Sequence, residues 1–159
     1  MLVEDMTDGD VNIIELDSGI DFDLSEESDS YGAMICDYNT FKSIYRLNVR
    51  ALDRHQVNMV LASISVSLPN DDNRSDEEKQ DAFNKLGAAL AGSLRRQDVV
   101  TGFDTPQFLM MISNIDIENA KSVVTRLINK INSEIGKIDN IETKLQALEP
   151  VDRDGSLNR

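Results

Sequence analysis

The sequence predicts an α+β domain in which a sheet of about four strands, including one antiparallel hairpin, packs with three helices. Two observations lead to this class. Long segments with apolar residues at helical spacing alternate with short segments that are β-branched or strictly alternating. Two of the short segments are separated by only three residues, which suits a hairpin and is too short for a parallel crossover.

Each predicted helix combines a capping residue with an apolar stripe. The capping residues are Asp37 or Asn39 for the first helix, Ser75 with Glu78 in a capping box for the second, and Asp116 for the third. The first helix is expected to end near His55. The residues predicted to face the core recur every three or four positions: Phe41, Ile44, Tyr45, Val49 and Leu52; Phe83, Leu86, Ala89, Leu90 and Leu94; and Ala120, Val123, Val124, Leu127, Ile128, Ile131 and Ile135.

Four segments predict strands. Residues 57–68 are mainly β-branched and apolar, with serine at every second position from 63 to 67. Residues 99–103 and 107–112 form the two arms of the hairpin, and the second arm is apolar on both faces, so it should be central in the sheet. Residues 141–147 alternate apolar and polar, as a half-exposed strand does.

The acidity of the chain is concentrated at its start. The chain has 16 Lys and Arg residues against 29 Asp and Glu residues, and its formal net charge is −13. Residues 1–37 contain 12 of the acidic residues and no Lys or Arg, which leaves the rest of the chain close to neutral. Neither part has the positive surface that nucleic acid or an anionic membrane requires, so we expect this chain to bind neither.

We predict three parts in the chain: an acidic, mobile N-terminal segment over residues 1–36, one domain over residues 37–150, and a loose tail over residues 151–159. The first segment carries apolar residues among its carboxylates, which purely disordered tails do less often. Its role stays open between a solvated leader, the frayed end of a preceding domain, a segment that docks on the domain or on a partner, and a cover for a basic surface.

Composition excludes several classes of site. Cys36 is the only cysteine and His55 the only histidine, so an internal disulfide, a cysteine-rich zinc site and a histidine-cluster metal site are excluded. No segment approaches the roughly 18 consecutive apolar residues of a membrane span, and the N-terminus lacks a basic stretch before an apolar one. We therefore expect a cytoplasmic protein that holds no metal and no cofactor.

The segment over residues 94–108 (LRRQDVVTGFDTPQF) resembles the signature of the GGDEF family of diguanylate cyclases, which has the form LRxxDxxxRYGGDEF between a helix and a hairpin. The order of elements over residues 37–148 also resembles that family, and this implies a GGDEF-like or palm-like sheet. The alignment places five residues at the family's Gly, Gly, Asp, Glu and Phe, and only the last is retained: Asp104, Thr105, Pro106, Gln107 and Phe108.

A closer resemblance is to a divergent GGDEF-like module in the C-terminal part of some bacterial transcriptional regulators, beside a bacterial transcriptional activator domain. Three segments carry it, over residues 32–38, 41–47 and 145–150. The resemblance implies a role in bacterial transcription regulation or signalling, and a homodimer, since relatives commonly work as dimers.

The chemistry of the family is not expected here. Joining two nucleotides requires divalent ions held by carboxylates, which the family supplies from its first strand and from the hairpin. The corresponding positions are neutral in this chain: Ser63, Ser65 and Ser67 in the strand, and Pro106 and Gln107 in the hairpin. Asp104 and Thr105 add side chains where two glycines let the nucleotide approach. We therefore predict no catalytic residues, and interpret this segment as a turn.

One further motif of the family is present. Arg95 and Asp98 match the RxxD motif of the product-inhibition site, and the resemblance implies that they could clamp cyclic di-GMP. The alternative interpretation is structural, because arginines often end a helix and an aspartate often precedes a strand.

Two functions follow from these observations. The first is a catalytically inactive GGDEF-like module for regulation or protein interaction, which binds a protein partner or associates with itself. The second is a cyclic di-GMP receptor that uses Arg95 and Asp98, and it requires both side chains to be exposed and convergent.

Overall fold

The computed structural model describes residues 2–6, 11–14, 32–52, 58–69, 73–103, 106–135 and 138–149. The chain divides into two compact units, residues 1–30 and 31–159. The first unit contains two antiparallel strands, β1 (Leu2–Met6) and β2 (Val11–Ile14), where the sequence suggested no regular element. The predicted tail over residues 151–159 and His55 lie outside the described residues.

The second unit contains three helices and a five-stranded mixed sheet, which confirms the predicted fold class. Its elements in chain order are β3 (Met34–Ile35), α1 (Tyr38–Leu52), β4 (Met59–Ser67), α2 (Asp76–Gly92), β5 (Val99–Gly102), β6 (Gln107–Ser113), α3 (Ile117–Ile135) and β7 (Asn140–Ala147). The strand order is β3-β5-β6-β4-β7, with β3 parallel to β5 and every other pair antiparallel.

The fifth strand, β3, was not predicted. Met34 and Ile35 were assigned to the acidic N-terminal segment, whereas the structure pairs them with Val99 and Val100 of β5. A strand of two residues is too short to show an alternating pattern, and both of its side chains are exposed, so the sequence carried no signal for it.

The three predicted helix caps are confirmed. The Asp37 carboxylate accepts a hydrogen bond from the Thr40 N–H at 2.7 Å, so Asp37 rather than Asn39 caps α1. The Ser75 hydroxyl accepts from Glu78 N–H at 3.1 Å in α2, and the Asp116 carboxylate accepts from Asn119 N–H at 2.8 Å in α3. Each contact satisfies one of the N–H groups that the first turn of a helix leaves unpaired.

The sheet separates two apolar layers. On one face, residues of β4, β5 and β6 pack with the buried stripes of α2 and α3 in the larger core cluster: Ala62, Ile64, Val66, Leu86, Leu90, Val100, Phe108, Met110, Ile112, Val124, Leu127 and Ile131. On the other face a smaller cluster forms around Phe41 of α1 with Val99 and Met111. The second arm of the hairpin is therefore covered on both faces, as predicted, because it lies in the middle of the strand order.

Helix α1 covers one end of its sheet face and leaves the other end accessible. It packs against β5, and the Asn48 side chain donates a hydrogen bond to the Met111 sulfur at 2.9 Å. Further along the same face of β4, Ser63 and Ser65 are half-buried and Ser67 is exposed.

No helix in the described part of the chain is long and apolar enough to cross a membrane.

Removing a side chain from the larger core should destabilise the domain strongly. Leu127 of α3 is fully buried, so Leu127→Ala should lower the free energy of unfolding by about 3 kcal/mol through lost burial and a cavity. Leu47→Ala in α1 is the matched control, because Leu47 is 66% exposed and its loss should cost less than about 0.5 kcal/mol. Urea denaturation measures both, and equal effects would contradict this assignment of the core.

Candidate functional site

The strand register brings the predicted signature positions beside the serines of β4. Ser65 lies opposite Gln107, and Ser63 lies opposite Leu109, in the antiparallel pairing of β4 with β6. Residues directly opposite in such a pair have their Cβ atoms about 5 Å apart on the same face of the sheet. The positions that would hold metal-binding carboxylates in a cyclase of this family thus adjoin one another, and each bears a neutral side chain.

The hairpin itself is held by backbone contacts. The Pro106 carbonyl accepts a hydrogen bond from the Val66 N–H at 2.7 Å, and the Phe103 N–H donates to the Gln107 carbonyl at 3.1 Å. The backbone carbonyls of Pro106 and Gln107 therefore help to close the hairpin. Asp104 and Thr105 lie outside the described residues.

The retained phenylalanine of the signature is a core residue. Phe108 is 3% exposed, and its ring stacks on Phe83 of α2 with 4.5 Å between centroids. A Cβ atom added at Gly87 or Gly102 would lie 3.1 or 3.3 Å from the Phe108 ring, so the two glycines make room for it. Packing alone accounts for the phenylalanine at this position.

The other neighbour of Ser65 is Glu142 of β7, which lies opposite it in the register. The Glu142 carboxylate is 3.7 Å from the Lys144 ammonium on the same exposed face. A single carboxylate that is paired with a lysine does not provide the several anionic ligands that a divalent ion requires. No cluster of three or more His, Cys, Asp or Glu side chains in the described part of the chain is placed to hold a metal ion.

A cleft of about 280 Å³ opens between α1 and the accessible part of this face. Its lining is aromatic, aliphatic and basic: Tyr38, Phe41, Lys42, Tyr45, Arg46, Leu61 and Leu109. The Lys42 ammonium lies 4.9 Å from the centre of the Tyr38 ring, and the Tyr38 ring packs against Phe103 at 5.1 Å. The sequence does not predict this cleft, because the helical spacing of Phe41 and Tyr45 indicates only that they face the core.

The Asp98 carboxylate of the RxxD motif is buried and fully engaged. It accepts hydrogen bonds from the backbone N–H groups of Arg95 and Ser113, each at 2.9 Å, and its side chain has no exposed surface. The Arg95 guanidinium lies 3.6 Å from the same carboxylate and donates to the Ser113 carbonyl, while 47% of its side chain stays exposed. The motif thus ties the α2–β5 loop to the end of β6.

This arrangement bears on the predicted ligand site. The structure brings Arg95 and Asp98 together, as a receptor for cyclic di-GMP requires, but only the arginine is exposed. The receptor hypothesis requires both side chains to be exposed, and Asp98 does not meet this condition, because its carboxylate turns inward and accepts hydrogen bonds from the Arg95 and Ser113 N–H groups. In this conformation Asp98 has no free edge for a guanine.

Cys36 and Asp37 stand beside the first turn of α1. Partial burial raises the pKa of the Cys36 thiol, and the negative charge of Asp37 raises it further. The hydrogen bond from the Thr40 N–H lowers the pKa of Asp37, which is the expected direction for a capping carboxylate. The thiol is therefore kept protonated at neutral pH and is a poor nucleophile.

Comparison with known proteins identifies the fold. No protein-family model and no curated protein matches the chain. A DGC protein from Thermotoga maritima has 18% sequence identity and a TM-score of 0.56, over 81% of this chain and 87% of that one. The chain has a GGDEF-like fold.

A second solved structure agrees. The diguanylate cyclase SiaD from Pseudomonas aeruginosa, in complex with its activator SiaC, has 15% identity and a TM-score of 0.56. The match covers 70% of this chain and 45% of SiaD, so this chain corresponds to about half of that protein. At such identities the likeness concerns the fold, and the function must be argued from the site.

Replacing the buried carboxylate should destabilise the domain. Asp98→Asn places an amide N–H₂ against backbone N–H donors, so one donor loses its partner and the free energy of unfolding should fall by about 2–3 kcal/mol. Asp81→Asn is the control, because Asp81 is exposed on α2. Urea denaturation measures both variants, and unchanged stability of Asp98→Asn would contradict a structural role for the motif.

Proposed function

We propose that the chain is a catalytically inactive GGDEF-like module that acts through protein interaction, in bacterial transcription regulation or signalling. The observation that carries the proposal is the pairing of Ser65 with Gln107 at the adjoining positions where the cyclase chemistry requires carboxylates. A hydroxyl and an amide are weak, uncharged ligands for Mg²⁺, and they cannot neutralise the charge that develops on a triphosphate.

The other residues near Ser65 and Gln107, and those that match the family signature, also support an inactive module. Glu142 forms an exposed ion pair with Lys144, and Pro106 is part of the backbone contact with Val66. Two residues that match the family signature have structural roles: Phe108 packs in the core, and Asp98 accepts hydrogen bonds from two backbone N–H groups.

A role in protein interaction is supported by the exposed apolar surface. Met34, Ile35, Tyr38 and Leu47 are large apolar side chains that are between 43% and 66% exposed in the second unit. Exposed apolar side chains mark interaction sites where they are contiguous, and Met34 and Ile35 are adjacent in β3. The similarity to SiaD, whose solved structure includes an activator protein, supports a partner for this fold.

We expect the full chain to form no cyclic di-GMP from GTP and Mg²⁺, because no anionic pair positions the metal. Chromatography of the nucleotides after prolonged incubation measures this, with an active diguanylate cyclase as the positive control. Turnover that exceeds the background without protein would refute the proposal.

Ser65→Asp combined with Gln107→Glu should strengthen Mg²⁺ binding in calorimetry relative to the parent chain.

The receptor alternative has its own test. We expect calorimetric titration with cyclic di-GMP to give no heat of binding, because the Asp98 carboxylate is occupied by the Arg95 and Ser113 N–H groups. Arg95→Ala serves as the control. Micromolar binding that this variant abolishes would favour the receptor function over the interaction module.

A further inference from the structure

A row of basic side chains runs along the exposed flank of α1. Lys42, Arg46 and Arg50 are spaced by four residues, so they share one stripe of the helix, with about 6 Å between successive positions and about 12 Å from first to last. Helix α1 contains no acidic residue. Arg46 and Arg50 are exposed, and neither forms an ion pair with another residue in the described part of the chain.

The cation row borders the cleft described above. Lys42 and Arg46 line that cleft together with two tyrosines and with Leu61 and Leu109. The cleft thus has an apolar floor and a basic rim, and the rim continues past it to Arg50. The alkyl stems of such cations add to the apolar lining while their charged groups stay in water.

We propose that the cleft and the cation row together bind an acidic amphipathic helix of a partner protein, an inference that rests on the proposed interaction function. A helix laid beside α1 has the same rise per residue, so carboxylates at positions i, i+4 and i+8 can each meet one cation. Apolar side chains on the neighbouring stripe of that helix then enter the cleft, as in other helix-in-groove complexes.

The dimensions and charges favour this occupant over other anions. A row of about 12 Å is too long for one phosphate group to contact all three cations, whereas three carboxylates on a helix span the same distance. Nucleic acid, an extended polyanion, is disfavoured because the chain carries a formal net charge of −13. Opposite charges arranged in this way steer association and select the partner.

The test uses the full chain and a fluorescein-labelled synthetic helical peptide as the probe. The peptide carries glutamate at three positions spaced by four and leucine on the adjacent stripe. Fluorescence anisotropy at low salt is expected to show micromolar binding that weakens as salt rises. Lys42→Glu combined with Arg46→Glu should weaken binding by at least about tenfold, since two attractive contacts become repulsive.

The matched control is Arg126→Glu combined with Lys130→Glu. These two cations are exposed and are also spaced by four residues, on α3, and the pair of substitutions changes the net charge by the same amount. We expect this variant to bind the peptide within about twofold of the parent chain. Circular dichroism establishes that both variants fold. A peptide with serine in place of leucine, and one with the same composition and scrambled glutamate spacing, should both bind more weakly.

The proposal would be overturned by no binding of the peptide, by an equal loss in both double variants, or by equal binding of the scrambled peptide. Concentration-dependent self-association that Lys42→Glu with Arg46→Glu abolishes would identify a second copy of the chain as the occupant, and would also overturn it. The nucleotide assay separates the two proposals. If the peptide does not bind and GTP is not turned over, only the proposed docking surface is refuted. GTP turnover would refute the proposed function as an inactive interaction module.

Discussion

The structure depends on the burial of both faces of β6. Met110 of this strand belongs to the core under α2 and α3, and Met111 belongs to the cluster under α1, and both are fully buried. Successive side chains of a strand point to opposite faces, so a continuous apolar run can be buried only between two layers. This requirement places β6 in the centre of the strand order and requires a helical layer on each side.

The alternation of side chains along β4 also decides which residues lie on the part of the sheet that α1 leaves uncovered. The residues of β4 that alternate with its serines are the buried Ala62, Ile64 and Val66, so the serines must lie on the α1 face. Since α1 packs at the β5 side of that face, Ser63 and Ser65 remain accessible beside Gln107. A surface with neutral residues at Ser63, Ser65 and Gln107, next to a basic helix flank, suits contact with a protein better than the anchoring of metal ions.

The Asp98 network shows how one sequence motif can serve two different purposes. A carboxylate and an arginine separated by two residues match a ligand clamp, yet the same spacing lets the carboxylate turn back and accept a hydrogen bond from the Arg95 N–H in the α2–β5 loop. The contact with Ser113 N–H joins residues that are 15 apart in the chain. A buried carboxylate without these two hydrogen bonds would cost more than an exposed ion pair could return, so the internal arrangement is favoured.

Local features of the sequence determined most of the elements. Helical periodicity, the capping residues Asp37, Ser75 and Asp116, and the apolar run of β6 each depend on residues close in the chain, and all were confirmed. The neutral residues at the signature positions could also be recognised from the resemblance alone. Tertiary structure decided the rest: the two-residue edge strand β3, the burial of Asp98, and the cleft between α1 and the sheet. Each of these depends on contacts between distant segments, and neither periodicity nor a short motif specifies which distant residues meet.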